Sequence, residues 1–296
     1  MNDLSQKSRS GGRAARRAAR AAPLADHLRP IRPGLEGGTY NPLTAAQVER
    51  IHQGALDALE QIGLADAPPS GVKYLTDAGA IQGDDGRIRF PRALVEDTIA
   101  RANRRLTLNA RDPQYDLDLS GSRVHYGTAG AAVNLVEVDG RTYRESTVQD
   151  LHDAARIANQ LDNIHFLQRP MICRDIPDTI EMEYNSVFAC VSGTNKLVGT
   201  SFTDTTCVGA AIEMLHMIAG GEDAWRARPF VSNSNCFVVP PMKFAPESCE
   251  VMEACIEAGM PVLLLSAGMS GATAPSTIAG AIMQATAECL AGLDNV

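Results

Sequence analysis

Residues 261–280 read PVLLLSAGMSGATAPSTIAG. A proline opens an apolar run of strand length, a bend of glycine and small residues follows, and Pro275 introduces a helical pattern. The same order recurs upstream. NIHFLQRPMI (163–172) precedes a helical pattern over 177–191, KLVGTSF (196–202) one over 204–219, and PFVSNSN (229–235) one over 246–258. Strand centres fall near residues 166, 198, 231 and 263, a spacing of about 32 residues, the size of one βα unit. VHYGTAG (124–130) reads as an earlier strand and loop. Ser146, with Gln149 completing a capping box, is expected to start the helix that follows.

Strands alternating with helices imply a parallel sheet with covered faces. Neither GxGxxG after the first strand nor GxxxxGK[ST] occurs, so no nucleotide fingerprint favours a doubly wound sheet. The expected fold is α/β, a TIM (β/α)8 barrel. It is incomplete: about five units are visible where eight close a barrel, so an amino-terminal portion of a longer protein is expected. An unclosed sheet exposes a parallel edge, and pairing between chains to cover it predicts a homo-oligomer.

Three regions are expected. Residues 1–33 are expected to form a basic disordered tail, with Lys7, Arg9, Arg13, Arg16, Arg17 and Arg20 in an acid-poor stretch ending in a proline-punctuated linker. Residues 34–120 form a helical, α+β segment, whose first helix has Thr44 as N-cap, Val48, Ile51, Ala55, Leu59 and Ile62 inward and Gly63 as its stop. Residues 121–296 hold the barrel units.

The chain of 296 residues has a net charge of −8, which together with the absence of any nucleic-acid motif argues against a nucleic-acid partner. No segment reaches the roughly twenty uninterrupted apolar residues of a membrane span. The seven cysteines are odd in number, scattered and without a CxxC pair. They read as small buried hydrophobes in a reducing cytoplasm. Six histidines form no HxxxH or HxH, so no metal site is expected. Trp225, in the loop before the fourth strand, reads as structural.

The runs PGLEGGTYNPLTAAQVERIHQGALDALEQIGL (33–64), RIRFPRALVEDTIARANRRLTLNARDP (87–113), RPFVSNSNCFVVPPMKF (228–244) and GMPVLLLSAGMSGATAPSTIAGAIMQATAECLAG (259–292) are similar to the trimethylamine methyltransferase family of corrinoid-dependent enzymes. The resemblance covers about residues 34–296. It implies a TIM-barrel methyltransferase that moves a methyl group from a tertiary or quaternary amine, such as trimethylamine or glycine betaine, to the cobalt of a corrinoid carried by a cognate partner protein. No cofactor would be bound directly.

Such a displacement asks the protein for orientation and desolvation, because a quaternary ammonium leaves as a neutral amine. The site should be mostly uncharged. The strand ends fit: Gly127, Thr128 and Ala129; Gln168 and Arg169; Thr200 and Ser201; Asn233 and Asn235; Ser266 and Met269. Barrel active sites lie at that end of the strands. Gln168, Thr200, Asn233, Asn235 and Ser266 are therefore the candidate substrate-binding residues. Gly268 and Gly271 are candidates for a corrinoid-facing loop, which lacks the basic residue of a phosphate cradle, the nearest lysine being Lys243 on another loop. Gly280 is expected to permit close helix–sheet packing. No catalytic side chain is singled out. A non-catalytic barrel that binds a betaine-like ligand, and an inactive truncated relic, stay open as alternatives.

Overall fold

The computed structural model of the protein describes residues 31–32 and 34–294. Apart from Ile31 and Arg32, the expected basic tail lies outside the described residues. The amino-terminal part is built of short strands and three helices: β1 (Ile31–Arg32), β2 (Leu35–Glu36), α1 (Ala45–Gln61), α2 (Pro69–Ala78), β3 (Ile81–Gln82), β4 (Ile88–Arg89), α3 (Arg92–Arg101), β5 (Thr107–Leu108), β6 (Asp116–Asp118) and β7 (Arg123–Val124). A hairpin, β8 (Asn134–Val136) and β9 (Tyr143–Glu145), leads to α4 (Val148–Gln160). Then come β10 (Leu167–Gln168), α5 (Thr179–Gly193), β11 (Val198–Thr200), α6 (Thr205–Ala219), α7 (Glu222–Ala227), β12 (Val231–Asn235), α8 (Pro246–Glu257), β13 (Val262–Leu264) and α9 (Ile278–Asp294).

Strands β10, β11, β12 and β13 form a four-stranded sheet in that order, every pair parallel. The order shows no reversal. Gly127 bridges in parallel to Phe166, so the segment after β7 borders the β10 edge. Residues two apart on a strand share a face. Leu167, Val198 and Val231 bury one face against Val187 and Cys190 of α5 and Val208 and Ala211 of α6. Each leucine or valine among them stabilises the fold by roughly 1.5–3 kcal/mol when fully buried.

A second core ties the amino-terminal segment to the last unit. Leu56 and Leu59 of α1, Ile88, Phe90 and Val95 pack with Phe237, Met252, Ala287 and Ala291. In α1 the buried side chains are Ala55, Leu56 and Leu59, while Val48 and Ile62 are exposed, so the inward stripe is narrower than its periodicity suggested.

Three local expectations are corrected. Thr147, not Ser146, caps α4, and its capping box closes on Asp150 rather than Gln149. Arg144 of β9 pairs with Asp150 and draws it into that role, while the Ser146 hydroxyl donates to the Ile172 carbonyl at 2.7 Å. The last helix starts at Ile278 rather than Pro275. Thr277 accepts from the Gly280 amide at 3.2 Å and its carbonyl from Ala281 at 2.9 Å, and a threonine that takes up these amides is a stronger start signal than a proline. Trp225 lies in the short helix α7 rather than a loop. It is fully buried, donates to the Ala258 carbonyl at 2.8 Å and stacks edge-on against Phe230.

Candidate functional site

A cavity of about 590 Å³ lies at the carboxyl ends of β10, β11 and β12. Its wall is the sheet face opposite Val198 and Val231: Phe166, Gln168, Ser201, Ser234, Leu263 and Leu265, met by Thr128, Gly130 and Ala131 from the preceding segment. Small residues make the space. A Cβ at Gly199 would stand 2.0 Å from the Gln168 Oε1, so only glycine lets that amide lie flat across the strand. Ser234 donates to the same Oε1 at 3.3 Å, and Thr128 donates to the Gln168 carbonyl at 2.5 Å. The rim is closed by Arg169, Phe202, Asn235, Cys236 and Ser248, with Asn235 Nδ2 donating to the Ser248 carbonyl at 3.0 Å.

Of the residues expected to bind substrate, Gln168 and Asn235 come together here. Thr200 and Asn233 do not line the cavity. They pair in register on β11 and β12, two residues beyond Val198 and Val231, and so point to the helix-covered face. Both are almost fully buried, with the Thr200 Oγ1 and both polar atoms of the Asn233 amide unpartnered. Ser266 also stands apart, donating to Glu288, a fully buried carboxylate that accepts from the Met242 amide and Gln284 as well. Phe166, Phe202 and Ser234 were not anticipated. Aromatic residues in apolar strands read as core, although the two-residue period sets Phe166 on the face of Gln168.

The glycine-rich loop after β13 folds onto itself. The amides of Ala272, Thr273 and Ala274 donate to the Met269 carbonyl at 2.9–3.0 Å, and the Gly271 amide donates to Ala274. Met269 N donates to Thr273 Oγ1. These donors are spent, so the loop is no phosphate cradle, and Lys243 is bound to Asp66 at 2.6 Å. Gly271 takes φ of 80° at the turn, and a Cβ at Gly268 would crowd Ala274 at 3.1 Å. Gly280 packs against Pro275 and Thr277 of its own loop, where a Cβ would come within 2.8 Å, rather than against the sheet.

Burial pushes the thiols of Cys190, Cys207, Cys249 and Cys255 up to about 12, which leaves them protonated and unreactive near neutral pH. Among the described residues no group of three or more His, Cys, Asp or Glu is arranged to hold a metal ion, and no helix is long and apolar enough to cross a membrane.

A second cavity, of about 460 Å³, lies where α4 and α5 end and is lined by Arg111, Arg156, Asn159 and Asn195. Its polar groups are already engaged. Arg111 donates to the Val191 carbonyl at 2.5 Å and to Asn195, and Asn159 Oδ1 accepts from Thr194 and Asn195.

A family model described as trimethylamine methyltransferase matches residues 9–294. The chain belongs to the trimethylamine methyltransferase family. Similar family members include the trimethylamine methyltransferase MttB of Desulfitobacterium hafniense (strain DSM 10664 / DCB-2), 30% identical over 88% of this chain and 52% of that protein. The glycine betaine methyltransferase of Desulfitobacterium hafniense (strain Y51) is 28% identical over 86% of this chain and 52% of its own length. The trimethylamine methyltransferase MttB1 of Methanosarcina mazei is 26% identical, over 88% and 53% respectively. The chain thus spans about half the length of the curated relatives it matches.

Proposed function

We propose that this chain carries the amine-binding part of a cytoplasmic methyltransferase that passes a methyl group from a tertiary or quaternary amine to the cobalt of a corrinoid borne by a partner protein. In this reading the segment at Gly127 and strands β10–β13 are consecutive staves of an incomplete TIM (β/α)8 barrel, and the cavity at their carboxyl ends is the amine site. The observation that carries it is the make-up of that wall. Gln168, Thr128, Ser201 and Ser234 offer dipoles without acid–base chemistry, and Phe166 and Phe202 offer aromatic surface of the kind that attracts a methylated ammonium.

The reaction balances without a proton donor when the amine is quaternary. The carbon–nitrogen bond breaks with its electron pair going to nitrogen, and a cobalt(I) centre supplies the pair for the new bond to carbon. The chain's residues bind and orient the amine and exclude water. The loop of Gly268 and Gly271, with Met269 exposed on the same edge, is the surface offered to the corrinoid protein.

The test is methyl transfer by the chain from trimethylamine and from glycine betaine, with and without a reduced corrinoid protein, followed by the cobalt absorbance and by the demethylated amine. Product that depends on the corrinoid protein is expected. No demethylation across methylamines and betaines, with a partner shown to accept methyl groups, contradicts the proposal. Binding of a methylated amine without turnover would favour a non-catalytic receptor.

A further inference from the structure

The amine cavity carries one charged side chain on its wall, and the charge has the wrong sign for a methylated ammonium. Arg169 follows β10 and is 7% exposed. Its Nη2 donates to Ser201 Oγ at 3.1 Å, while Nη1 is sealed from solvent without an acceptor. Among the described residues no carboxylate lies within ion-pair distance of it. The buried acid on α5, Glu183, accepts from the Thr203 amide. A buried guanidinium without a counter-charge is costly to keep, and it repels a simple ammonium in a site of low polarity. Both difficulties vanish if the ligand brings its own anion. The planar fork of a guanidinium is shaped for a carboxylate.

We infer that Arg169 is a specificity-determining residue that seats a carboxylate of the substrate. The amines taken by this chain are then betaine-type zwitterions, a methylated ammonium and a carboxylate on one short skeleton, rather than trimethylamine or other simple cations. The ammonium end would lie against Phe166 and the Gln168–Ser234 wall, with the carboxylate at the rim. This inference rests on the reading of the cavity as an amine site.

The experiment is calorimetric titration of the whole chain with glycine betaine, tetramethylammonium and propionate, repeated on Arg169→Gln and Arg169→Lys. Wild type is expected to bind glycine betaine at least about tenfold tighter than tetramethylammonium, the scale of one charge-assisted contact. Arg169→Gln should erase that preference without weakening tetramethylammonium, and Arg169→Lys should restore part of it. Without ligand, Arg169→Gln should melt no lower than wild type, because relief of an unpaired buried charge offsets the lost hydrogen bond to Ser201, whereas a merely structural arginine would leave a less stable protein. Equal binding of the two ammonium compounds by wild type, or a preference that survives Arg169→Gln, overturns the inference while leaving the amine site standing. If neither ammonium compound binds but propionate binds in an Arg169-dependent way, the amine reading falls and the carboxylate seat stands.

Discussion

The residues that flank the two ends of the β10–β13 strands treat buried polarity in opposite ways. At the amino ends, Lys196 is fully buried just before β11, and its ammonium donates to the carbonyls of Ala158, Leu161 and Ile164 at 2.6–2.7 Å. It closes the last turn of α4, where a cation suits the exposed carbonyls. Arg228, before β12, forks onto the buried Asp116 at 2.8 and 3.1 Å. At the carboxyl ends, Arg169 Nη1, Thr200 Oγ1, the Asn233 amide and Asn235 Oδ1 have no partner. Saturated polar groups hold a fold together. Of the unpartnered groups only Arg169 and Asn235 line the cavity, where groups left wanting are what a binding edge needs, and buried orphans of this kind ask for an explanation beyond folding.

The comparison is broken or sharpened most strongly at Lys196. Lys196→Met should cost about 3 kcal/mol of stability, since three carbonyls lose a charged donor. Urea denaturation measures it, and a loss below the error of the method would mean the amino end is not held this way.

Asp150 tests the rule at the other end, because it is a saturated group near the unsaturated ones. It caps α4 and accepts from both Arg144 nitrogens at 2.6–2.7 Å, and Arg144 holds its carboxyl well below the usual carboxylate range. A lowered folded-state pKa means that ionised Asp150 stabilises fully above the unfolded value of about 4 and less as pH falls through the lowered one. Asp150→Ala should therefore cost about 1–2 kcal/mol at pH 7, and the gap in melting temperature should narrow below about pH 4. A gap independent of pH would assign the loss to packing.

The smallest effect is expected at Thr200. Replacing an unpartnered buried hydroxyl by a methyl removes a desolvation cost, so Thr200→Val should change stability by no more than about 0.5 kcal/mol downward or should raise it. A clear loss would show that the hydroxyl has a partner after all.

The sheet was legible in the sequence because each strand, loop and helix kept its order at a constant interval, and the parallel pairing of Leu167, Val198 and Val231 follows from it. The site was only half legible. Position at a strand end found Gln168 and Asn235, but it also picked out Thr200 and Asn233, which share the face of Val198 and Val231; Asn235 is on that face too and reaches the rim from the last position of β12. The start of α4 was misread for a related reason. Ser146…Gln149 and Thr147…Asp150 are competing capping boxes, and the choice between them is made by Arg144 on the neighbouring hairpin, a contact that local pattern does not contain. The unpaired state of Arg169 is likewise a fact about what surrounds it in space.

The most direct test of a ligand edge at the carboxyl ends is side-chain nitrogen NMR of asparagine and arginine during a glycine betaine titration. Asn235 and Arg169 should shift in a saturable way while Arg111, Asn159 and Asn195, at the opposite cavity, stay still. Shifts confined to Arg111, Asn159 and Asn195 would contradict the account.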